Sequence, residues 1–153
     1  MITRPLAEDL IYRAALLLDA RDFPGFVALC EPDFRYLISA YSPEIRQDMV
    51  WLNHDRAGLQ ALFETLPRHN SDHAPLTRHV TVYLLDLAAD RVSASVTSVL
   101  QIFRTTLDGG ATELFAVGKI HDSIRLVDGT ARLVRRHIKL DTRMLGIGSH
   151  IPF

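Results

Sequence analysis

The apolar residues of this chain change their spacing once, and the change falls at a single loop. Before residue 67 they recur every three or four positions; after residue 75 they alternate. The first spacing lines one face of a helix and the second one face of a strand. Leu6, Leu10, Ala14, Leu17 and Leu18 define a first helix, with Pro5 suited to its opening turn. A short second helix is expected from about Phe23, with Asp22 as N-cap and Pro24 tolerated in the first turn. Leu59, Leu62, Phe63 and Leu66 mark a third, capped by Asp55 and ended by Pro67. Between the second and third, Phe34 to Tyr41 reads as a strand and Glu44 to Asn53 is ambiguous.

Beyond the polar loop Pro67 to Pro75 the strands follow one another. Leu76 to Leu87 alternates, with Val80, Val82 and Leu84 on one face. Arg91 to Thr105 alternates through Val92, Ala94, Val96, Ser98, Leu100 and Ile102. Asp108-Gly109-Gly110 signals a turn. Thr112 to Val127 is a long strand in which Gly118 marks a bulge or a bend, and Asp128-Gly129 is a hairpin signal leading into Arg132 to Asp141. Helices first and hairpin-linked strands second predict an α+β fold, three helices covering one face of a strongly bent sheet. At 153 residues the chain fits one domain, residues 1–153, on a prior of about 150 residues per domain.

Composition removes several functions. Lys plus Arg is 17 and Asp plus Glu is 18, so no excess charge is available for phosphates and no nucleic-acid partner is expected. The longest apolar runs fall far short of the ~20 residues that cross a bilayer, so no membrane is expected. The opening residues lack a signal-peptide apolar block. A single cysteine, Cys30, excludes an internal disulfide and fits a reducing cytoplasm. It also excludes a Rieske cluster held by this chain alone, which would need two Cys and two His. Cys30 follows Phe23, Phe26 and Val27 at helical spacing, which reads as core rather than nucleophile.

Several stretches resemble the small (beta) subunit of Rieske-type aromatic-ring-hydroxylating dioxygenases. Asp9-Leu10-Ile11-Tyr12-Arg13 through Leu18-Asp19, then Asp22-Phe23, is similar to that family's first helix pair. Asp33-Phe34-Arg35-Tyr36 resembles its first strand. The block from His69 to Val80 resembles the loop into its long strands, although Thr81-Val82 stands where an Asn is usual. Leu133 to Asp141 resembles its last strand, with the pattern R-R-x-x-x-L-D met by Arg135, Arg136, Leu140 and Asp141. Two stretches, Asp108 to Phe115 and Leu145 to Phe153, look closer to the small subunit of methanesulfonate monooxygenase. The resemblance implies a cone-shaped nuclear transport factor 2-like (cystatin-like) fold. It implies a subunit without cofactor that self-associates as a homotrimer and supports a mixed hexamer. The Rieske iron–sulfur cluster and the non-haem iron would lie in the large catalytic alpha subunit, supplied with electrons by a reductase using NADH. An N-terminal arm carried by many members is expected to be missing.

The remaining candidates are weighed on chemistry. His69, Asp72 and His73, with His79 beyond, supply the two-histidine, one-carboxylate set of a mononuclear iron site. A loop bracketed by prolines gives ligands no rigid frame, and Asp72 stands between the histidines rather than before them as in the large subunit's D-x-x-H-x-x-x-x-H motif. His69, Asp72, His73 and Arg78 are therefore read as an interface loop. A free-standing enzyme of polyketide-cyclase or dehydratase type would instead need an acid–base pair inside the cone: His137 with Tyr36, Asp86 or Asp33. Arg135 and Lys139 share the face of His137 and disfavour its protonated form, so a sheet-surface or subunit-contact histidine is the alternative. His121 and Asp122 are adjacent and point to opposite faces. Asp141, Arg143 and Arg136 are candidates for ion pairs with a neighbouring subunit. Met144 to Phe153 has no Asp, Glu, Lys or Arg but holds Met144, Leu145, Ile147, Ile151 and Phe153, so it is expected to dock on its own sheet or on another subunit. Trp51 is an interface anchor or a cap on the cone mouth. A small-molecule-binding module of the same fold would show an apolar cavity without a His–carboxylate pair.

Overall fold

The structure is a computed structural model that describes residues 1–69, 73–145 and 153, the side chains of 67–69 aside. Three helices come first: α1 (Arg4–Asp19), α2 (Phe23–Ala28) and α3 (Arg56–His69). Their N-termini are fixed by side-chain oxygens that take up orphan amides. Thr3 Oγ1 accepts from the Leu6 amide, Asp22 Oδ1 from Gly25 at 3.0 Å, and Asp55 Oδ1 from Gly58 at 2.7 Å. α3 runs to His69 rather than ending at Pro67, because a proline's fixed φ is itself helical and its missing amide costs one bond. α1 buries Ala7, Leu10, Ile11, Ala14 and Leu18, whereas Leu6 lies at the edge of that stripe and is exposed.

Six strands form one sheet: β1 (Cys30–Ser42), β2 (Gln47–Asp55), β3 (Leu76–Leu87), β4 (Ser93–Thr105), β5 (Thr112–Val127) and β6 (Thr130–Leu140). Their spatial order is β2-β1-β6-β5-β4-β3. β1 and β6 run parallel and the other neighbours antiparallel. The ambiguous stretch Glu44 to Asn53 thus contains edge strand β2. Asp128 and Gly129 take φ of 50° and 79° in the β5–β6 hairpin, the left-handed pair that a two-residue turn demands.

Each antiparallel pairing contains one register shift. Trp51 is the extra residue opposite Ile38 and Ser39, Tyr83 opposite Ser98 and Thr97, Phe115 opposite Ile102 and Phe103, and Val134 opposite Ser123 and Ile124. A bulge bends its strand and raises the local twist. Four of them, one per antiparallel ladder, curl the sheet around the helices into the expected cone. They also reverse the side-chain phase. Past Tyr83 the inward residue is Leu85, which packs on the core, and Leu84 is exposed, contrary to the simple alternation. The Val82 groups freed at that bulge are met by α1: Tyr12 Oη accepts from the Val82 amide at 3.2 Å, and Arg4 Nη2 donates to the Val82 carbonyl at 2.8 Å.

Gly118 is not a bulge. It lies where the β6 backbone leaves no room for a side chain: a Cβ there would sit 2.5 Å from the Lys139 carbonyl oxygen and 2.9 Å from Leu140 Cα. Backbone cannot step aside as a side chain can. Gly118→Ala is expected to destabilise the protein by about 1–3 kcal/mol, the usual range for overpacking. A urea midpoint unchanged by the substitution would contradict this packing.

Candidate functional site

The sheet has two faces with different chemistry. Inside the cone, β1, β6 and β5 place Tyr36, Arg136 and Asp122 side by side, since Tyr36 pairs with Arg136 and Arg136 with Asp122 in the register. Arg136 Nε and Nη2 donate to the two oxygens of Asp122 at 2.8 and 2.9 Å, a bidentate pair closed off from water. Burial works against the Arg136 charge, and the Asp122 carboxylate more than restores it, so its pKa lies above the usual value. The guanidinium also stands 5.8 Å from the centre of the Phe26 ring. A second pair joins helix to sheet: Arg78 on β3 donates to Asp19 at the end of α1, at 2.7 Å from Nη1 and 3.1 Å from its amide. Burial lowers the Arg78 pKa and Asp19 opposes that. Tyr36 Oη donates to the backbone oxygen of Phe153 at 2.6 Å, and burial holds its phenol well above the ordinary range.

The outer face carries the histidines. His137 Nε2 lies 2.7 Å from Ser39 Oγ, and His121 stands opposite His137 across the β5–β6 ladder. Both imidazoles are held below the usual histidine value, first by partial burial and then by the Lys139 charge.

This division separates the residues that a free-standing enzyme would need together. Tyr36 is inside the cone, His137 is outside, and Asp86 is exposed on edge strand β3; Asp33 is exposed and pairs with Arg125 at 2.9 Å. Adjacent positions of paired strands point to opposite faces, so Tyr36 and His137 cannot meet. Among the described residues no histidine hydrogen-bonds a carboxylate, and the inward positions of β1, β5 and β6 hold no imidazole.

The interface candidates divide likewise. Arg78, Arg136 and Phe153 are buried: Arg136 pairs with the internal Asp122, Arg78 with the half-buried Asp19, and the Phe153 ring packs edge-on to Phe115 at 6.2 Å. Leu145 is buried in the same core. Arg143 Nη1 reaches Glu44 at 2.7 Å within the chain, and that ion pair, with a Ser42 hydrogen bond, lowers the Glu44 pKa to about 2. Asp141 and His73 are exposed. Asp72, Ile147, Ile151 and the His69 side chain lie outside the described residues. The sequence reading misses the internal acid Asp122 and the half-buried Asp19; a signal exists for Asp122, which falls between Ile120 and Ile124 on the inward phase.

The donor set does not fit an iron–sulfur cluster. Cys30 is the chain's one thiol; it is buried, donates to the Phe26 carbonyl, and burial pushes its pKa up to about 12. Thiolate is the form that ligates metal. Among the described residues no three His, Cys, Asp or Glu side chains converge on a point that could hold a metal ion.

Residues 13–146 match the family described as ring hydroxylating beta subunit. The chain is 43% identical to the methanesulfonate monooxygenase hydroxylase subunit beta of Methylosulfonomonas methylovora, over 95% of this chain and 84% of that protein. It is 31% identical to the 2-aminobenzenesulfonate 2,3-dioxygenase subunit beta of an Alcaligenes species, over 99% of each. The crystal structure of a beta subunit assigned to an aromatic-ring-hydroxylating dioxygenase from Novosphingobium aromaticivorans superposes with a TM-score of 0.84, at 20% identity, over 98% of this chain and 96% of that one. That likeness shows the fold, the nuclear transport factor 2-like cone with its cystatin-like sheet. The family match and the relatives' identity over nearly the whole length give the conclusion: the chain belongs to the ring hydroxylating beta subunit family.

Proposed function

We propose that this chain is the small, non-catalytic subunit of a Rieske non-haem iron oxygenase of the sulfonate-oxidising kind. Its work is to brace the large subunit in a mixed hexamer of three copies of each, in the cytoplasm, as one domain. The observation that carries the reading is the 43% identity to the beta subunit of methanesulfonate monooxygenase. The 31% identity to a second sulfonate-directed oxygenase subunit supports the same branch. The chemistry of the chain is consistent with the division of labour. Its single thiol is protonated and buried, so the chain offers no thiolate to a Rieske cluster, which supports placing the cluster in the large subunit. Tyr36 and Asp122, the groups that could move protons inside the cone, are committed to Phe153 and Arg136. Among the described residues no helix is long and apolar enough to cross a membrane.

Expression of the chain with and without a large subunit tests this. Alone, it is expected to be a colourless homotrimer without stoichiometric iron and without turnover. Together, the two are expected to co-elute as a coloured hexamer that oxidises a sulfonate when a reductase and NADH are supplied. Iron held tightly by the isolated chain, or unaided turnover of any compound, would overturn the reading.

A further inference from the structure

The outer face of β1, β6 and β5 gathers basic side chains that the chain does not neutralise. Arg35 lies on β1, Arg135, His137 and Lys139 on β6, and Lys119 and His121 on β5, all on the outward phase. The register sets like against like: Lys119 opposite Lys139, His121 opposite His137, and Arg35 opposite Arg135. Like charges placed directly opposite destabilise a sheet, so this ladder works against folding unless something else meets it. Among the described residues Lys119, Lys139 and Arg135 have no ion pair, and Arg35 reaches the neutral Asn53 Oδ1 at 3.0 Å. The helices pack on the other face. Acids border the stretch, and one of them, Asp48, acts on His137. Glu31 and Asp33 hold Arg125, Asp48 pairs with Tyr41 in the β1–β2 register, and Asp141 follows β6.

We propose that this face receives a carboxylate-bearing surface of the large oxygenase subunit, an inference that rests on the subunit reading above. Charge complementarity selects the occupant. A second copy pressing the same face would set like charge on like. A phosphate backbone crossing the face would meet the bordering acids. The neighbouring Tyr41 and Trp51 are exposed side chains of the aromatic kind that accompany arginine at the centre of protein interfaces.

The two imidazoles make the docking pH-dependent. His137 is faced by Lys139 and Arg135 on its own strand, by His121 on β5, by Leu37 and Ser39 on β1, and by Asp48 of β2, which alone of these favours its charge. His121 is faced by Lys119, Lys139 and Thr97, with Asp122 across the sheet pulling the other way. An arriving carboxylate raises both pKa values, so docking takes up protons and tightens as pH falls.

The test measures binding of the large subunit to the wild-type chain and to variants. Lys119→Glu with Lys139→Glu is expected to weaken binding by about a hundredfold. The isolated variant should remain folded, with a melting temperature equal to or above that of the wild type. Arg13→Glu on α1 should stay within about threefold of wild type, as for a charge outside the contact. Wild-type affinity is expected to rise by about tenfold from pH 8 to pH 6, and His121→Gln with His137→Gln to remove that rise. Unchanged binding by the lysine pair, or pH-independent wild-type binding, overturns the inference alone. So does a change in the mass of the isolated chain on charge reversal, or loss of co-purifying RNA. Failure of the wild type to bind overturns the subunit reading and this inference with it.

Discussion

Exchanging Asp122 for asparagine is expected to cost about 3–5 kcal/mol of folding free energy, because it leaves the Arg136 guanidinium charged and unpaired in the core. For a chain of this length that corresponds to a fall in melting temperature of roughly 8–15 °C. The size of the effect does not mean that the pair is worth that much. Much of it is the desolvation cost of the partner left behind, and the double substitution shows this. Asp122→Leu with Arg136→Met removes both charges at similar volume and is expected to match the wild type or exceed it by up to about 1–4 kcal/mol. Thermal unfolding of Asp122→Leu, Arg136→Met and the double variant beside the wild type closes the cycle. An Asp122→Asn protein that melts like the wild type would mean that the pair is not sealed from water. The pair has a further consequence for pairing. Asp122 and Arg136 are register partners on β5 and β6, and a slip of one residue between the strands would turn one of them to the outer face and leave the other charge unpaired inside. Its contribution is therefore to register as much as to stability, and the double variant is the one to watch for mispaired or aggregated product.

The extent to which sequence anticipated this arrangement depends on how local each signal is. Helix starts were legible because the cap lies three residues from the amide that it satisfies, as with Asp22 and Gly25 or Asp55 and Gly58. The β5–β6 turn was legible because Asp128 and Gly129 must themselves take positive φ. The bulges were not. A bulge is a mismatch in residue count between two strands, and neither strand's own alternation shows it, which is why Leu84 was placed on the wrong face. β2 was ambiguous for the same reason, since Trp51 interrupts its period at an exposed edge. Arg136 could be placed with Ile138 and Leu140 by alternation, yet a charged residue on an apolar face reads as surface until its partner is known. That partner is Asp122, on another strand. Of the stretch Met144 to Phe153, expected to be covered, Leu145 and Phe153 are buried and Met144 is exposed, and nothing local said that Phe153 would meet Tyr36.

Replacing Phe153 by alanine is the second large loss expected, about 3–5 kcal/mol, as for other fully buried aromatic side chains. The ring fills space beside Phe115, the residue that the β4–β5 bulge adds, and its backbone oxygen takes the Tyr36 hydroxyl. Tyr36→Phe keeps the ring of residue 36 and removes that hydrogen bond, for about 1–3 kcal/mol if the Phe153 oxygen is left buried and unsatisfied. The two losses are not expected to add. If the ring is what holds Phe153 in place, then without it the backbone oxygen returns to water and Tyr36 has no partner to lose. Tyr36→Phe should then cost less than about 0.5 kcal/mol in the Phe153→Ala background, the level at which independent sites stop being distinguishable. Urea unfolding of the four proteins measures this directly. Strict additivity would show that the phenol and the ring act independently, and a Phe153→Ala protein as stable as the wild type would show that the ring is not in the core. The outcome bears on function. Phe153 lies beside Tyr36, inside the cone, where a free-standing enzyme of this fold would need its acid–base pair. A side chain of the chain itself seated there favours a rigid cone over an open one, in keeping with the bracing role proposed above.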